Sequence, residues 1–411
     1  MKRQYTGKES ARPRRPGRKS PPPPAIMHGP DETLEGALIL DEARSGLGTL
    51  LWQSLHDVIL WASVPPGERR GLFRPESVRR RLAALVSLKV DPALEVALTS
   101  LAALVDDPAA VRPEAVGAVC LQIARWAEGQ GMTATALAFA QGAALAAPTD
   151  ATAGFLAGQL ARRTGENARA ETWLRRTIVL GRRNGDRLSL FQACLALGEM
   201  HAERGDTATA HALYLRALRG SRRSGFRDIK AQALYNLFRL TAATGPIEEA
   251  DTYARSALHA HGRRHPRIPT VARDVARFWL EQGRFDEALT VLRLLLPYAR
   301  RPEDRIGVLG AIARAAAAAG NEEVFEETAR EEWQLLQRSP QDHLPARGVL
   351  DLAYGAAELR RWESAGRAAQ LALDTALRCG DGEAAAGAEA LLHSVWTQVG
   401  GIQWQVQATA S

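Results

Sequence analysis

Residues 197–217 read LGEMHAERGDTATAHALYLRA. Gly198 and Gly205 stand seven residues apart, Ala210 follows five later, and Tyr214 and Ala217 come four and seven residues after Ala210. Steps of three and four put Ala210, Tyr214 and Ala217 on one face of a helix. A glycine between two such stretches reads as a turn. The stretch therefore predicts two amphipathic helices joined at Gly205, approaching closely where Gly198 and Ala210 leave room. One hairpin cannot cover that face, so it needs neighbours of its own kind.

The chain supplies them. A turn glycine followed five residues later by a small residue recurs as Gly131 with Ala136, Gly165 with Ala170, Gly245 with Ala250 and Gly283 with Ala288. Two weaker copies follow, Gly320 before Phe325 and Arg360 before Ala365, the last lacking its glycine. Successive second positions lie 34, 40, 40, 38, 37 and 40 residues apart, the period of a helical-repeat array. Seven residues before each turn stand Ala124, Gly158, Gly198, Phe238, Ala276, Ala313 and Ala353. Leu174 with Thr177, Ala254 with Ala257, and Leu292 with Leu295 repeat the role of Tyr214 with Ala217.

On these residues the chain resembles the tetratricopeptide repeat family over about residues 114–380. Leu197-Gly198, Gly205, Ala210, Tyr214 and Ala217 match its L-G, G, A, Y/F and A positions, and Pro148 closes a first unit of 34 residues. Arginines replace the closing proline in later units, which implies second helices longer than the family norm and units near 40 residues, as in arrays attached to bacterial regulators. The resemblance implies an all-α, right-handed superhelical solenoid of about seven hairpins.

Around the repeats the sequence divides into residues 1–30, a Pro-rich basic arm expected to be disordered; 31–110, a helical N-terminal region; 111–380, the solenoid; and 381–411, a capping helix and tail. The arm is too poor in apolar residues to offset the entropy of ordering. Residues 78–108, with Ala97 at the small position, read as a degenerate earlier unit, and Leu391, Leu392, Val395 and Trp396 as the face that covers the last hairpin.

Charge follows the same division. The net +7 of the 411 residues lies in residues 1–28, where eight basic residues oppose Glu9 alone; the remainder is balanced, 45 basic against 45 acidic. The arm is thus suited to salt-dependent contact with nucleic acid. Cys120, Cys194 and Cys379 are scattered and odd in number, which argues against a disulfide framework or a zinc knuckle. Pro21–Pro24 interrupt any secretory leader, and the most apolar windows, interrupted by Asp57 and Arg314, are too short for a bilayer. The expectation is a cytoplasmic protein without membrane contact, cofactor or metal.

Catalytic signatures are weak. Gly129-Gln130-Gly131-Met132-Thr133-Ala134 fits G-x-G-x-x-A, but a phosphate-cradling turn needs a preceding strand and the pattern here predicts a helix. His259, His261 and His265 do not share one helix face. No H-E-x-x-H, G-x-S-x-G or Walker loop occurs, so no enzyme and no catalytic residue is expected.

In the resembled family the first helix of each hairpin lines a partner-binding groove. One residue past the small position stand Arg125, Gln159, Glu199, Arg239, Arg277, Arg314 and Tyr354; four residues earlier the same face carries Phe155, Tyr235 and Arg273. Arginine interleaved with aromatics suits carboxylates or phosphates carried on a partly apolar ligand. Asn236, in Tyr235-Asn236-Leu237, matches an asparagine that contacts peptide backbone in family members. The expected partner is another protein or an acidic or C-terminal peptide; the alternative is a regulatory sensor responding to a peptide or small ligand, with nucleic acid touched by the arm. Arg182-Arg183, Arg222-Arg223, Arg263-Arg264 and Arg300-Arg301 form an edge pattern that helix-dipole complementation explains and that also suits anions. The acidic helix around Glu322–Glu332, with Phe325, Ala329 and Leu336 as its apolar face, offers a docking surface to the basic arm.

Overall fold

A computed structural model describes residues 37–44, 46–88, 90–339 and 344–409, so the basic arm lies outside the described residues. The fold is all-α, with no strand among those residues. Four helices come first: α1 (Ala37–Glu42), α2 (Gly46–Ser63), α3 (Pro75–Leu88) and α4 (Pro92–Asp106). Seven pairs follow: α5 (Pro113–Gly129) and α6 (Thr133–Ala146), α7 (Ala151–Arg163) and α8 (Asn167–Asn184), α9 (Arg187–Glu203) and α10 (Thr207–Ser224), α11 (Arg227–Thr244) and α12 (Ile247–His261), α13 (Ile268–Glu281) and α14 (Phe285–Arg293), α15 (Pro302–Ala318) and α16 (Glu322–Arg338), α17 (Ala346–Glu358) and α18 (Trp362–Cys379). α19 (Gly382–Thr409) ends the chain. This is a solenoid of tetratricopeptide-type hairpins, packed as two compact units that divide inside α11 between Leu240 and Thr241. The sequence pattern runs through that boundary without marking it.

The turns fall where the spacing predicts, and all the turn glycines except Gly245, which precedes Pro246, are left-handed. Gly131, Gly165, Gly205, Gly283 and Gly320 adopt φ between 71° and 81°, a region costly for any residue with a Cβ. Where the repeat lacks its glycine, Arg360 takes the same conformation at φ 56° and is the only non-glycine among the described residues to do so. Asp150, Asp186, Asp206 and Asn321 cap helices by accepting from backbone N–H groups of the first turn.

Packing follows the small residues. A Cβ on Gly158 would stand 2.9 Å from Leu174, and one on Gly198 would stand 2.5 Å from the Tyr214 ring, so paired helices meet with the glycine backbone against the side chain of the partner. Ala136, Ala170, Ala210, Ala250, Ala288 and Ala365 are completely buried, as are Leu174, Thr177, Ala254 and Ala257.

The N-terminal region is part of the first unit's core. Glu42 of α1 accepts from the backbone N–H groups of Ala134 (2.8 Å) and Thr135 (2.7 Å), capping α6 from a distance in sequence. Trp61 of α2 is fully buried and donates to the Pro108 carbonyl at 2.7 Å, with the Arg69 guanidinium 3.7 Å over its ring. In the region of the expected earlier unit stand α3 and α4, and Ala97 of α4 is buried.

Two expectations need correction. Second helices are long in most pairs, but α14 has only 9 residues, because Pro297 cannot donate to a continuing helix and the chain tightens into a 3-10 turn over Leu296–Tyr298. In α19, Leu391 and Val395 are buried, whereas Trp396 is 77 % exposed: it follows Val395 by one position, about 100° around the helix, and leaves the covered face.

Candidate functional site

The candidate partner-binding positions fall on the first helices of both units, and each unit builds its own polar surface from them. In the first, Arg125 on α5 and Gln159 on α7 are exposed and Phe155 is half-buried. The centre of this face is occupied from within. Glu199 of α9 accepts from Arg162 of α7 at 2.6 Å and from the side-chain amide of Asn236 of α11 at 3.0 Å. Arg162 also reaches Glu203 at 2.9 Å, and Gln232 donates to Asn236 at 2.8 Å. Asn236 is therefore 4 % exposed with both ends of its amide engaged, and Tyr235 beside it is buried. Arg239 is exposed, its guanidinium 5.9 Å from the Tyr235 ring centre. Burial and the nearby Glu199 carboxylate both push the Tyr214 phenol above its ordinary range.

In the second unit Arg273 and Arg277 of α13 are exposed. The nearest carboxylate to Arg273 is its neighbour Asp274, at 4.0 Å. Arg314 of α15 pairs with Asp351 of α17 at 2.9 Å and lies 4.8 Å over the Tyr354 ring, whose hydroxyl points to the Gly387 carbonyl at 3.4 Å. Burial holds the Asp351 carboxyl above the ordinary range, against the lowering by Arg314 and, less strongly, by Arg347 and Arg277.

Below that surface lies one of the acids of the α16 helix. Glu332 of α16 is fully buried, and neither carboxylate oxygen has a hydrogen-bond partner among the described residues. Burial, reinforced by Asp351, drives its carboxyl well above the ordinary range. The signal was present: Glu332 lies seven residues after Phe325, three after Ala329 and four before Leu336, on the apolar stripe itself. The room for it comes from α15 and α17, which cross backbone against backbone. A Cβ on Gly310 would run into the Gly348 carbonyl, and one on Gly348 would stand 2.7 Å from the Gly307 Cα.

Three of the remaining acids of α16, Glu322, Glu326 and Glu331, have partners in their own unit. Glu331 pairs with Arg305, and Glu326 with Arg361, so this surface is already partly neutralised without the basic arm. The G-x-G-x-x-A stretch is the α5–α6 turn, preceded by a helix. His261 is buried with Nδ1 2.9 Å from the Ala257 carbonyl and its ring against His265, while His259 faces solvent. No group of three or more His, Cys, Asp or Glu side chains among the described residues is arranged to hold a metal ion. No described helix is long and apolar enough to cross a membrane.

No family model matches this chain, and no curated protein matches it in sequence. Solved structures do. It is similar to pilF of Pseudomonas aeruginosa, at 15 % identity over 60 % of this chain and 99 % of that one, with a TM-score of 0.46. It is similar to a kinesin light chain of Podospora anserina with nearly identical TPR-like repeats, at 17 % identity over 47 % of this chain and 98 % of that one, with a TM-score of 0.38. A third is the Rap conjugation gene regulator of plasmid pLS20 in complex with a Phr peptide, at 15 % identity over 88 % of this chain and 97 % of that one, with a TM-score of 0.41. These likenesses concern the helical-repeat fold.

Proposed function

We propose that this protein is a non-catalytic interaction module that receives an acidic peptide segment of a partner protein on its first-helix faces. The observation that carries the reading is the contrast among arginines on those faces. Arg162 and Arg314 are held by carboxylates of the next hairpin, whereas Arg125, Arg239, Arg273 and Arg277 are exposed around them. Guanidinium forks pair bidentately with carboxylates, and arginine beside tyrosine is enriched where proteins meet. Arg239 beside Tyr235, and Arg277 beside the Arg314–Tyr354 stack, are the contact residues. Tyr235 and Asn236 enter as positioning residues: the first backs Arg239, and the second fixes Glu199 so that it does not compete for the ligand.

The test is anisotropy of a fluorescein-labelled decapeptide of alternating Glu and Ala with a free C-terminus. Arg239→Glu with Arg277→Glu should abolish its binding and leave the far-ultraviolet helix signal unchanged. Binding retained by the double variant would remove these faces as the peptide site.

A further inference from the structure

A second cationic surface in the first unit lies off the first-helix positions just described. A cleft of about 410 Å³ is lined by Arg187 and Phe191 from the first turns of α9 and by Ala212, Arg216, Arg219, Gly220, Arg223 and Ser224 from α10. Four guanidiniums enter it and no carboxylate lines it. Elsewhere in this unit arginines reach across the repeat to acids, as Arg162 does to Glu199, Arg163 to Glu128 and Arg204 to Glu171. Here the recorded polar contact is Arg187 with the Ser224 hydroxyl at 3.4 Å, and Arg216, Arg219 and Arg223 have no carboxylate partner among the described residues. Positions 212, 216, 219 and 223 succeed one another by three and four on one face of α10, so like charges repel along the stripe until an anion joins them.

The floor is apolar and shaped. Gly220 has no side chain where a Cβ would run into the Phe191 ring, so that ring rests on the bare backbone of α10, with Phe226 6.4 Å away at an angle of 63°. From Arg216 to Arg223 the helix rises about 10 Å, at about 1.5 Å per residue, so the forks span more than one phosphate group. Guanidinium forks match phosphate oxygens bidentately, and a volume of this size falls within the roughly 300–1,000 Å³ typical of small-molecule sites.

We propose that this cleft binds a small organic diphosphate or polyphosphate, with Arg216, Arg219 and Arg223 on the phosphates, Arg187 closing over them from α9, and the Phe191–Gly220 floor taking the organic part. The site is separate from the peptide faces and stands or falls without them.

Calorimetric titration of the full chain with ADP in 150 mM salt tests it, with adenosine as the uncharged control. ADP should bind with one site per chain and adenosine should not. Arg216→Ala with Arg219→Ala should weaken ADP at least tenfold. Ala212→Glu, at an exposed position on the cleft rim, should do the same by adding a negative charge without removing a contact; the thermal midpoint of each variant reports its folding. Absence of saturable ADP binding, adenosine binding as tightly as ADP, or wild-type affinity in both folded variants would each overturn the proposal. The last would assign the anion affinity to another surface, such as the basic residues of the arm.

Discussion

Asn236 donates its side-chain amide to Glu199 across 3.0 Å, 37 residues away in sequence and one repeat away in space. The bond ties the first helices of two successive hairpins through polar groups that neither hairpin satisfies alone. With Asn236 almost fully buried, its loss is a matter of stability before it is one of binding. Asn236→Ala should cost about 1 kcal/mol, the usual net worth of such a bond. Asn236→Asp should cost about 1–3 kcal/mol at pH 7, because it sets a second carboxylate against Glu199. Repulsion raises the folded-state pKa of that new pair, so the penalty must shrink as pH falls toward 4.5; urea denaturation at both values measures it.

Glu332 carries a pH signature of its own. Its carboxyl is raised by burial, so the folded chain holds a proton that the unfolded chain releases, and the contribution of this group to stability is greatest at low pH and falls as pH rises. The loss begins near the unfolded value of about 4.3 and continues, at up to about 1.4 kcal/mol per pH unit, until the folded group ionises. Asp351, raised in the same direction and facing Arg314, Arg347 and Arg277, contributes a parallel slope. Glu332→Gln should therefore be more stable than wild type at pH 7.5 and nearly equal to it at pH 4. A difference between the two chains that does not change with pH would refute the assignment.

The crossing of α15 and α17 depends on glycine at two facing positions. Gly310→Ala places a methyl group against the Gly348 carbonyl and should cost about 1–3 kcal/mol or more, the range for overpacked interiors. Gly307→Ala, one turn earlier on the same helix, meets nothing within 4 Å and should instead gain about 0.5–1 kcal/mol from helix propensity. Opposite signs in chemical denaturation, at positions three residues apart, would mark the packing and not the helix as the cause.

Arg360 holds the left-handed turn conformation that glycine holds in five other repeats. Its side chain is exposed, so Arg360→Gly removes strain at little cost in contacts. A gain of about 0.5–1 kcal/mol is expected, the larger backbone entropy of glycine in the unfolded chain offsetting part of the relief. A loss of stability by the same denaturation measurement would mean that the arginine side chain holds the turn.

The repeat, its turns and most of its core were legible in residues 197–217 and their copies, because each rests on local rules. A glycine at a turn, a small residue where helices touch and an apolar step of three or four act within one hairpin, and Ala210, Tyr214 and Ala217 obey them wherever the hairpin is placed. Even Arg360 could be marked in advance, as the position where the period demanded a glycine and found none. Trp396 and the short α14 were misread because they turn on one helix position and one proline, finer than a period can specify.

The candidate surface was legible only as a set of arginine positions. Arg314 reads like Arg239 and Arg277 in the sequence, yet it is paired with Asp351 from the next hairpin while the other two remain exposed. Glu332 reads as one more acid on an acidic helix, yet it is sealed beneath the meeting of Gly310 and Gly348. Helix periodicity is set by backbone hydrogen bonds four residues long and is written in the chain. Pairing and burial across hairpins depend on how helices some 37 residues apart come into register when they stack, and that register exists only in the folded protein.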